Sequence, residues 1–323
     1  MRALLQEARR EPFDLVCGYS SSTLPYVLAI PAKARVMDLV DADSAKWAAY
    51  AAAARWPRRW LYRLEADRVR ALEHQALRQC DAVTLVSRAE AQVLGREGDR
   101  VLAVGNGVDA EYFRPAGPAA PPGPSLVFTG TMDYRPNAEG VCWFIREVWP
   151  ALRRGIPGIT FTIAGRDPTP AVQRLAEAPG VTVTGGVPDV RPYLAEATLA
   201  VVPLLTARGI QNKVLEAMAM GRAVVGSSGA LEGLDVDVGG DVCCADTPDE
   251  WRKAVAELVA DTPRRVAMER SARACVLARY SWAAQMKPLV DLCVRLASAP
   301  AAEAGARREE AGPAPAPGSI AQA

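Results

Sequence analysis

Between Leu126 and Gly226, five short apolar runs alternate with stretches of helical period, and this alternation limits the fold more than any other feature. The runs are Leu126–Thr129, Thr160–Ala164, Val181–Thr184, Leu199–Pro203 and Ala223–Gly226. The stretches between them read as helices over Asn137–Arg154, Pro170–Ala178, Asp189–Glu196 and Asn212–Met220. Strands alternating with helices signal parallel pairing, because a crossover helix returns the chain to the end of the sheet from which the first strand started. The spacing therefore predicts a doubly wound α/β sheet, whose ligands bind beyond the carboxyl ends of its strands. Three further helical stretches, Asp249–Ala260, Pro263–Tyr280 and Trp282–Ser298, follow it.

A second, shorter α/β pattern precedes this one. Strands are expected at Asp14–Gly18, Ala34–Val40, Ala82–Val86 and Arg100–Val104, with helices around Ala45–Arg55, Arg59–Gln79 and Ala89–Leu94. The Pro/Ala/Gly stretch from Pro115 to Ser125 cannot pack and reads as a linker. The expected organisation is an N-terminal domain over 1–114, a linker over 115–125 and a second domain over 126–280. A closing helix over 281–298 and a disordered tail over 299–323, rich in Ala, Pro, Gly and Arg, complete it.

Composition removes several classes of function. The chain has 323 residues and a net charge of +1, from 38 basic and 37 acidic residues, without the basic excess of a nucleic-acid binder. No apolar run approaches the ~20 residues of a spanning helix. The opening residues lack the apolar core of a secretory signal, and a cytoplasmic protein is expected. Seven cysteines with no C-x-x-C pair, and a single histidine, argue against a disulfide framework and against zinc. The vicinal pair Cys243–Cys244 reads as buried thiols near a strand end.

Candidate ligand contacts lie just after the strands. Gly130, Gly165, Gly185 with Gly186, and Gly226 stand at four of the five exits, where a backbone turns sharply or approaches a ligand. The most specific segment runs from Arg208 to Gly221. Gly209 is expected to open a helix whose free N–H groups and positive dipole end suit a diphosphate. Lys213 lies one turn in, and Glu216 follows three residues later on the same face. A carboxylate placed there can accept hydrogen bonds from two vicinal hydroxyls, as on a ribose. An ordinary solvated Lys–Glu pair does not fit a helix otherwise built from Val214, Leu215, Ala217, Met218 and Ala219.

The run Gly209–Gly221 with Ala223–Val225 resembles the signature helix and strand of family 4 glycosyltransferases, which have the two-domain GT-B fold. Phe128–Gly130 with Pro136–Asn137, Ile163–Gly165, Val181–Val190 and Asn106–Asp109 agree with it. Val40–Trp47 resembles, more narrowly, the sugar transferases of exosortase/PEP-CTERM exopolysaccharide systems. The resemblance spans Phe13 to Ser298. It implies two Rossmann-like domains facing a cleft and a retaining transfer of sugar from a nucleotide diphosphate sugar to an acceptor hydroxyl. No obligate metal is implied. Glu216 corresponds to the second glutamate of the family's paired-glutamate motif and would hold the ribose. Lys213 matches a phosphate-facing lysine, Arg208 stands where the motif's first glutamate would be, and Arg208 and Lys213 could both face the leaving diphosphate. Gly130, Arg135, Asn137, Gly165, Arg166, Gly209, Ile210 and Gln211 would surround the donor, with Gly186 and Val187 near the base. The family pattern also implies a strand and a Gly-rich loop ahead of Phe13. None is written there, so the first domain is expected to be incomplete. A nucleotide-sugar 2-epimerase of the same fold and a non-catalytic nucleotide-binding remnant are the alternative readings.

Three lesser features complete the analysis. Asp41 and Asp43 form a D-x-D pattern that reads as acceptor contacts or a helix cap rather than as a metal site. His74 lies in a heavily charged helix and reads as structural or exposed. Arg55–Arg63, with Trp56, Trp60 and Tyr62 among four arginines, fits contact with a membrane surface or with a lipid-linked acceptor, and equally a solvated helix junction.

Overall fold

Every strand pair in the computed structural model is parallel, as helix-separated strands require. The structure describes residues 11–94, 100–115, 123–206 and 209–299. It divides into two compact units, one taking residues up to Gly105 and those from Met286 on, the other Asn106–Gln285. Residues 116–122 of the expected linker and 300–323 of the expected tail lie outside the described residues.

Among the described residues the first unit holds four strands, β1 (Phe13–Tyr19), β2 (Ala32–Val40), β3 (Ala82–Leu85) and β4 (Val101–Ala103), in the order β1-β2-β3-β4. β2 is covered on both faces. Met37 and Leu39 pack with Leu24, Ala76 and Leu85, while Ala34 and Val36 pack with Leu292 and Leu296. Leu289, Leu292, Cys293 and Leu296, spaced by three or four residues, form the apolar stripe that brings the last turns of the helix Trp282–Ser298 onto this sheet. The helices Asp43–Ala53, Arg58–Gln79 and Arg88–Val93 stand where the periodicity places them. A further short helix, Leu24–Ala29, carries Pro25 in its first turn and was not visible to periodicity, because six residues span less than two turns.

The second unit holds β5 (Ser125–Thr129), β6 (Thr160–Ala164), β7 (Val181–Gly185), β8 (Leu199–Val202), β9 (Ala223–Gly226) and β10 (Cys243–Cys244). Their order is β10-β9-β8-β5-β6-β7. The chain thus winds outward from β5 in one direction, returns, and winds outward from β8 in the other. The switch point lies between β5 and β8, where Leu126 faces Leu199. Five strands were expected, and the sixth is the vicinal cysteine pair itself, paired with Val225 and Gly226 at the edge. Two residues are too few to carry a strand period. The expected helix Asn137–Arg154 is two helices, Arg135–Glu147 and Trp149–Gly155. Pro150 has no N–H to continue the first, and it fits the first turn of the second.

Phe144, Phe161, Trp149 and Trp251 fill the core of this unit, with the Phe144 and Trp251 rings edge-on at 5.3 Å. The helix Arg135–Glu147 seats closely on the end of β8. A methyl group added at Gly140 would run into the carbonyl oxygen of Pro203. Gly140→Ala should therefore lower stability by about 1–3 kcal/mol, although alanine favours an exposed helix by ~1 kcal/mol. Urea denaturation midpoints of the two proteins check the sign.

Candidate functional site

The exits of β5, β6 and β7 are stitched into a continuous floor by backbone hydrogen bonds. Gly130 N–H donates to Ala164 O at 3.1 Å, Met132 N–H to Arg166 O at 2.8 Å and Gly165 N–H to Gly185 O at 3.2 Å. Gly165 must be glycine here, because a Cβ would fall on the carbonyl oxygen of Gly130. Above Gly130 pass two side chains, Asn137 and Lys213, within 2.8 and 3.2 Å of where its Cβ would stand. Asn137 is 3% exposed and donates from Nδ2 to Thr131 O at 2.9 Å, which holds the turn after β5 in place.

The opposite wall comes from the helix Asn212–Ala219, which follows β8. No side chain caps its N-terminus, so its first N–H groups are open to a ligand. Its C-terminus closes on Gly221, at φ +64°, with Gly221 N–H bonded to Met218 O and Arg222 N–H to Ala217 O. This is the paired-bond ending that glycine permits. Val214, Leu215, Ala217, Met218 and Ala219 are all fully buried, which fixes the helix rotation. Lys213 and Glu216 are left on the remaining face.

Floor and wall enclose a cavity of about 870 Å³, at the carboxyl ends of β5, β6 and β7 and beside the switch point. That is the size of a small-molecule site. Both charges of the helix face are half-buried in it. Burial lowers the Lys213 ammonium to a pKa of about 8, against a smaller opposing pull from Glu216. Burial likewise raises Glu216 above the usual carboxylate range, with Lys213 opposing. The Lys213 Nζ donates to Gln211 Oε1 at 3.3 Å and stands 5.7 Å from the Phe128 ring centre. Among the described residues no ion pair within 4.0 Å joins Lys213 to Glu216. Each charge keeps open valence toward the cavity.

Of the residues expected around the donor, Gly130, Asn137, Gly165, Arg166, Val187, Ile210, Gln211, Lys213 and Glu216 line this cavity together. Arg135 does not. Its side chain is 85% exposed and its Nε lies 2.7 Å from Glu139 Oε1, because the helix begins at Arg135 and places Glu139 one turn on. Gly209 is also outside the lining. The helix starts at Asn212, where its period places it, so Gly209 does not open it but serves the approach with φ +66°. Gly186 stands behind Arg166, and the left-handed turn of that exit is made by Gly185 at φ +69°. Arg208 lies outside the described residues. Asp41 and Asp43 belong to the first unit. Asp41 is raised by burial and by Glu90 and Asp43, and Asp43 lies 3.8 Å from Lys46. His74 lies in the first unit on Arg58–Gln79. Among the described residues no group of three or more His, Cys, Asp or Glu is placed to hold a metal ion. Thr129, Thr131, Asp133, Tyr134, Val190 and Asn212 also line the cavity. They belong to the strand exits and the helix start where ligand contacts are expected, although no role was assigned to any of them individually.

The five lysines of the chain make the electrostatics measurable. After reductive ¹³C-methylation, the Lys213 resonance should titrate near pH 8. Removing the favourable carboxylate by Glu216→Gln should move that resonance lower still, and Lys213→Arg should delete it.

Comparison with known proteins adds independent findings. Residues 123–261 match the family model described as "Glycosyl transferases group 1". No curated protein matches the sequence. Among solved structures, sucrose-phosphate synthase from Thermosynechococcus elongatus is similar at 18% identity and a TM-score of 0.66, over 91% of this chain and 76% of that one. Anabaena Alr3699/HepE, solved in complex with UDP, is similar at 15% identity and a TM-score of 0.67, over 91% and 81%. A glycosyltransferase from Rickettsia africae is similar at 12% identity and a TM-score of 0.66, over 93% and 81%. In fold the chain is therefore an α/β protein of the GT-B type, and its residues 123–261 are similar to the group 1 glycosyl transferase model.

Proposed function

We propose that this chain is a retaining glycosyltransferase that moves a sugar from a nucleoside diphosphate sugar to an acceptor hydroxyl. The observation that carries the reading is the pair Lys213 and Glu216. One helix face delivers both, half-buried and not paired with each other, into a ligand-sized cavity beside the switch point. The group 1 match over 123–261 supports the same class. The UDP and UDP-glucose bound in Anabaena HepE make a uridine nucleotide the first donor to test. The resemblance of Val40–Trp47 to exosortase-associated transferases supports a role in exopolysaccharide or other cell-surface glycan synthesis, at the cytoplasmic face of the membrane on a lipid-linked acceptor.

The chemistry follows from charge. The bond between the anomeric carbon and the diphosphate oxygen breaks, a bond from the acceptor oxygen to that carbon forms, negative charge accumulates on the departing diphosphate, and its released oxygen takes up the proton of the acceptor hydroxyl. Lys213 meets this charge together with the open N–H groups of the helix Asn212–Ala219, in a site already shaped for it. In this reading protein groups meet the leaving charge and no obligate metal is required. Glu216, an acceptor of hydrogen bonds, holds the two ribose hydroxyls and so fixes the nucleotide along the floor. Arg166, 73% exposed and 3.7 Å from Asp167, adds a second cation to the rim of the cavity.

Proton linkage gives a direct check. An ammonium with a pKa of about 8 is charged at pH 7 and neutral well above 8, and a bound diphosphate favours its charged form. UDP affinity should therefore be flat from pH 7 to about 8 and fall as pH rises beyond it. Lys213→Met should bind more weakly and lose that limb, as read by titration calorimetry across the pH series.

Turnover is tested by NMR with a panel of nucleotide sugars and glycan acceptors. The reading expects nucleotide release that depends on acceptor, with the anomeric configuration of the donor kept in the product. Inversion at the anomeric carbon, or appearance of a 2-epimer without acceptor, would contradict it.

A further inference from the structure

The first unit carries a surface that sugar transfer does not explain. Where the helix Asp43–Ala53 gives way to Arg58–Gln79, Trp56 is 84% exposed and Trp60 65%, with Tyr50 and Leu61 also open to solvent. Aromatic side chains this large are normally buried, and a cluster left outside marks a surface that something else covers. Arg55, Arg58, Arg59 and Arg63 interleave with them, and no acidic residue occurs between Asp43 and Glu65. A local excess of positive charge on a chain of net charge +1 is a concentration, not an average property.

Two contrasts separate this tip from an ordinary solvated junction. Further along the same helix, Arg68 and Arg70 are matched by Glu65 and Asp67, each at 3.3 Å. Among the described residues none of the four tip arginines has an ion-pair partner. The helix also begins at Arg58 with no acidic residue in its first turn. Cations there oppose the helix dipole, so the arrangement works against helix stability rather than for it. The support behind the tip is ordered: the rings of Trp47, Tyr50 and Tyr62 meet at 5.7 to 6.2 Å and tie the two helices together. Beside them runs a groove of about 580 Å³, lined by Tyr50, Arg55, Trp56, Arg58 and Tyr62.

We propose that this tip docks on an anionic bilayer surface, with Trp56, Trp60 and Leu61 at headgroup level and the four arginines on lipid phosphates. The mixture of apolar rings and unpaired guanidinium groups matches the two components of such a surface, an apolar boundary beneath a layer of negative charge. Among the described residues no helix is long and apolar enough to cross a membrane, so the contact is peripheral. The inference stands on this surface alone and does not depend on the reading of the donor cavity.

The test uses the full chain and vesicles of phosphatidylcholine, alone or with phosphatidylglycerol, read by co-sedimentation. Binding should require phosphatidylglycerol and weaken with added salt. Trp56→Ala with Trp60→Ala should weaken it at least ~10-fold, and Arg58→Gln and Arg59→Gln roughly fivefold each. Arg68→Gln, on the same helix but paired, should change it little. Brominated lipids should quench a fluorescence component that Trp56→Phe with Trp60→Phe removes. All these positions are exposed, so melting curves should stay unchanged and confirm folding. Equal binding to neutral vesicles, no binding, or binding indifferent to these substitutions would overturn the proposal. Self-association that depends on Trp56 and occurs without lipid would also overturn it.

Discussion

Holding Lys213 and Glu216 half out of water, on a helix whose other faces are sealed, is the constraint on which the site depends. Charges leave water at a cost, and proteins accept it where the charges have work to do. The cost is visible as opposite shifts: the lysine is easier to deprotonate and the glutamate harder. A tight ion pair between them would relieve both groups. The helix does not provide one, because Lys213 leans across Gly130 toward Gln211 instead. An anion placed over the lysine and hydroxyl groups placed against the glutamate would restore what burial removed.

The sheet makes that placement available. β5 and β8 are neighbours whose following segments leave in opposite directions around the sheet, which opens a crevice at their carboxyl ends. The glycines at Gly130, Gly165 and Gly185 let three strand exits lie flat against each other, so a ligand can approach backbone rather than side chains. The walls are set by burial elsewhere. Val214, Leu215 and Met218 are locked into a core with Phe128 and Val224, and this fixes the direction in which the polar face points.

Much of this was legible in the sequence because it rests on periods and spacings. Alternating runs gave the parallel sheets, and an apolar helix with a lysine and glutamate three apart gave the charged face. What escaped depends on single torsions or on a choice between neighbours. Arg135 carries the right charge for a diphosphate, but Glu139 one turn along takes its guanidinium to the surface. Gly209 reads as a helix opening, yet the helix waits until Asn212, and the intervening residues shape the approach. Cys243 and Cys244 form an edge strand through pairing with Val225 and Gly226, a long-range fact that two residues cannot announce. Thr131, Asp133 and Tyr134 follow β5, where contacts are expected, but which of that loop's side chains reach the cavity is decided by the turn of the floor.

The most direct measurement is thermal unfolding of the full chain with UDP, GDP, ADP and CMP, beside Glu216→Ala. A nucleotide at about 100 times its dissociation constant adds ~2.7 kcal/mol to the folded state, a readily seen rise in melting temperature. The account predicts a rise with one nucleoside diphosphate that Glu216→Ala largely removes, consistent with loss of ~1.5–3 kcal/mol of hydrogen bonding to a charged group. A cooperative melt that no nucleotide shifts, or a shift that Glu216→Ala leaves intact, would contradict it.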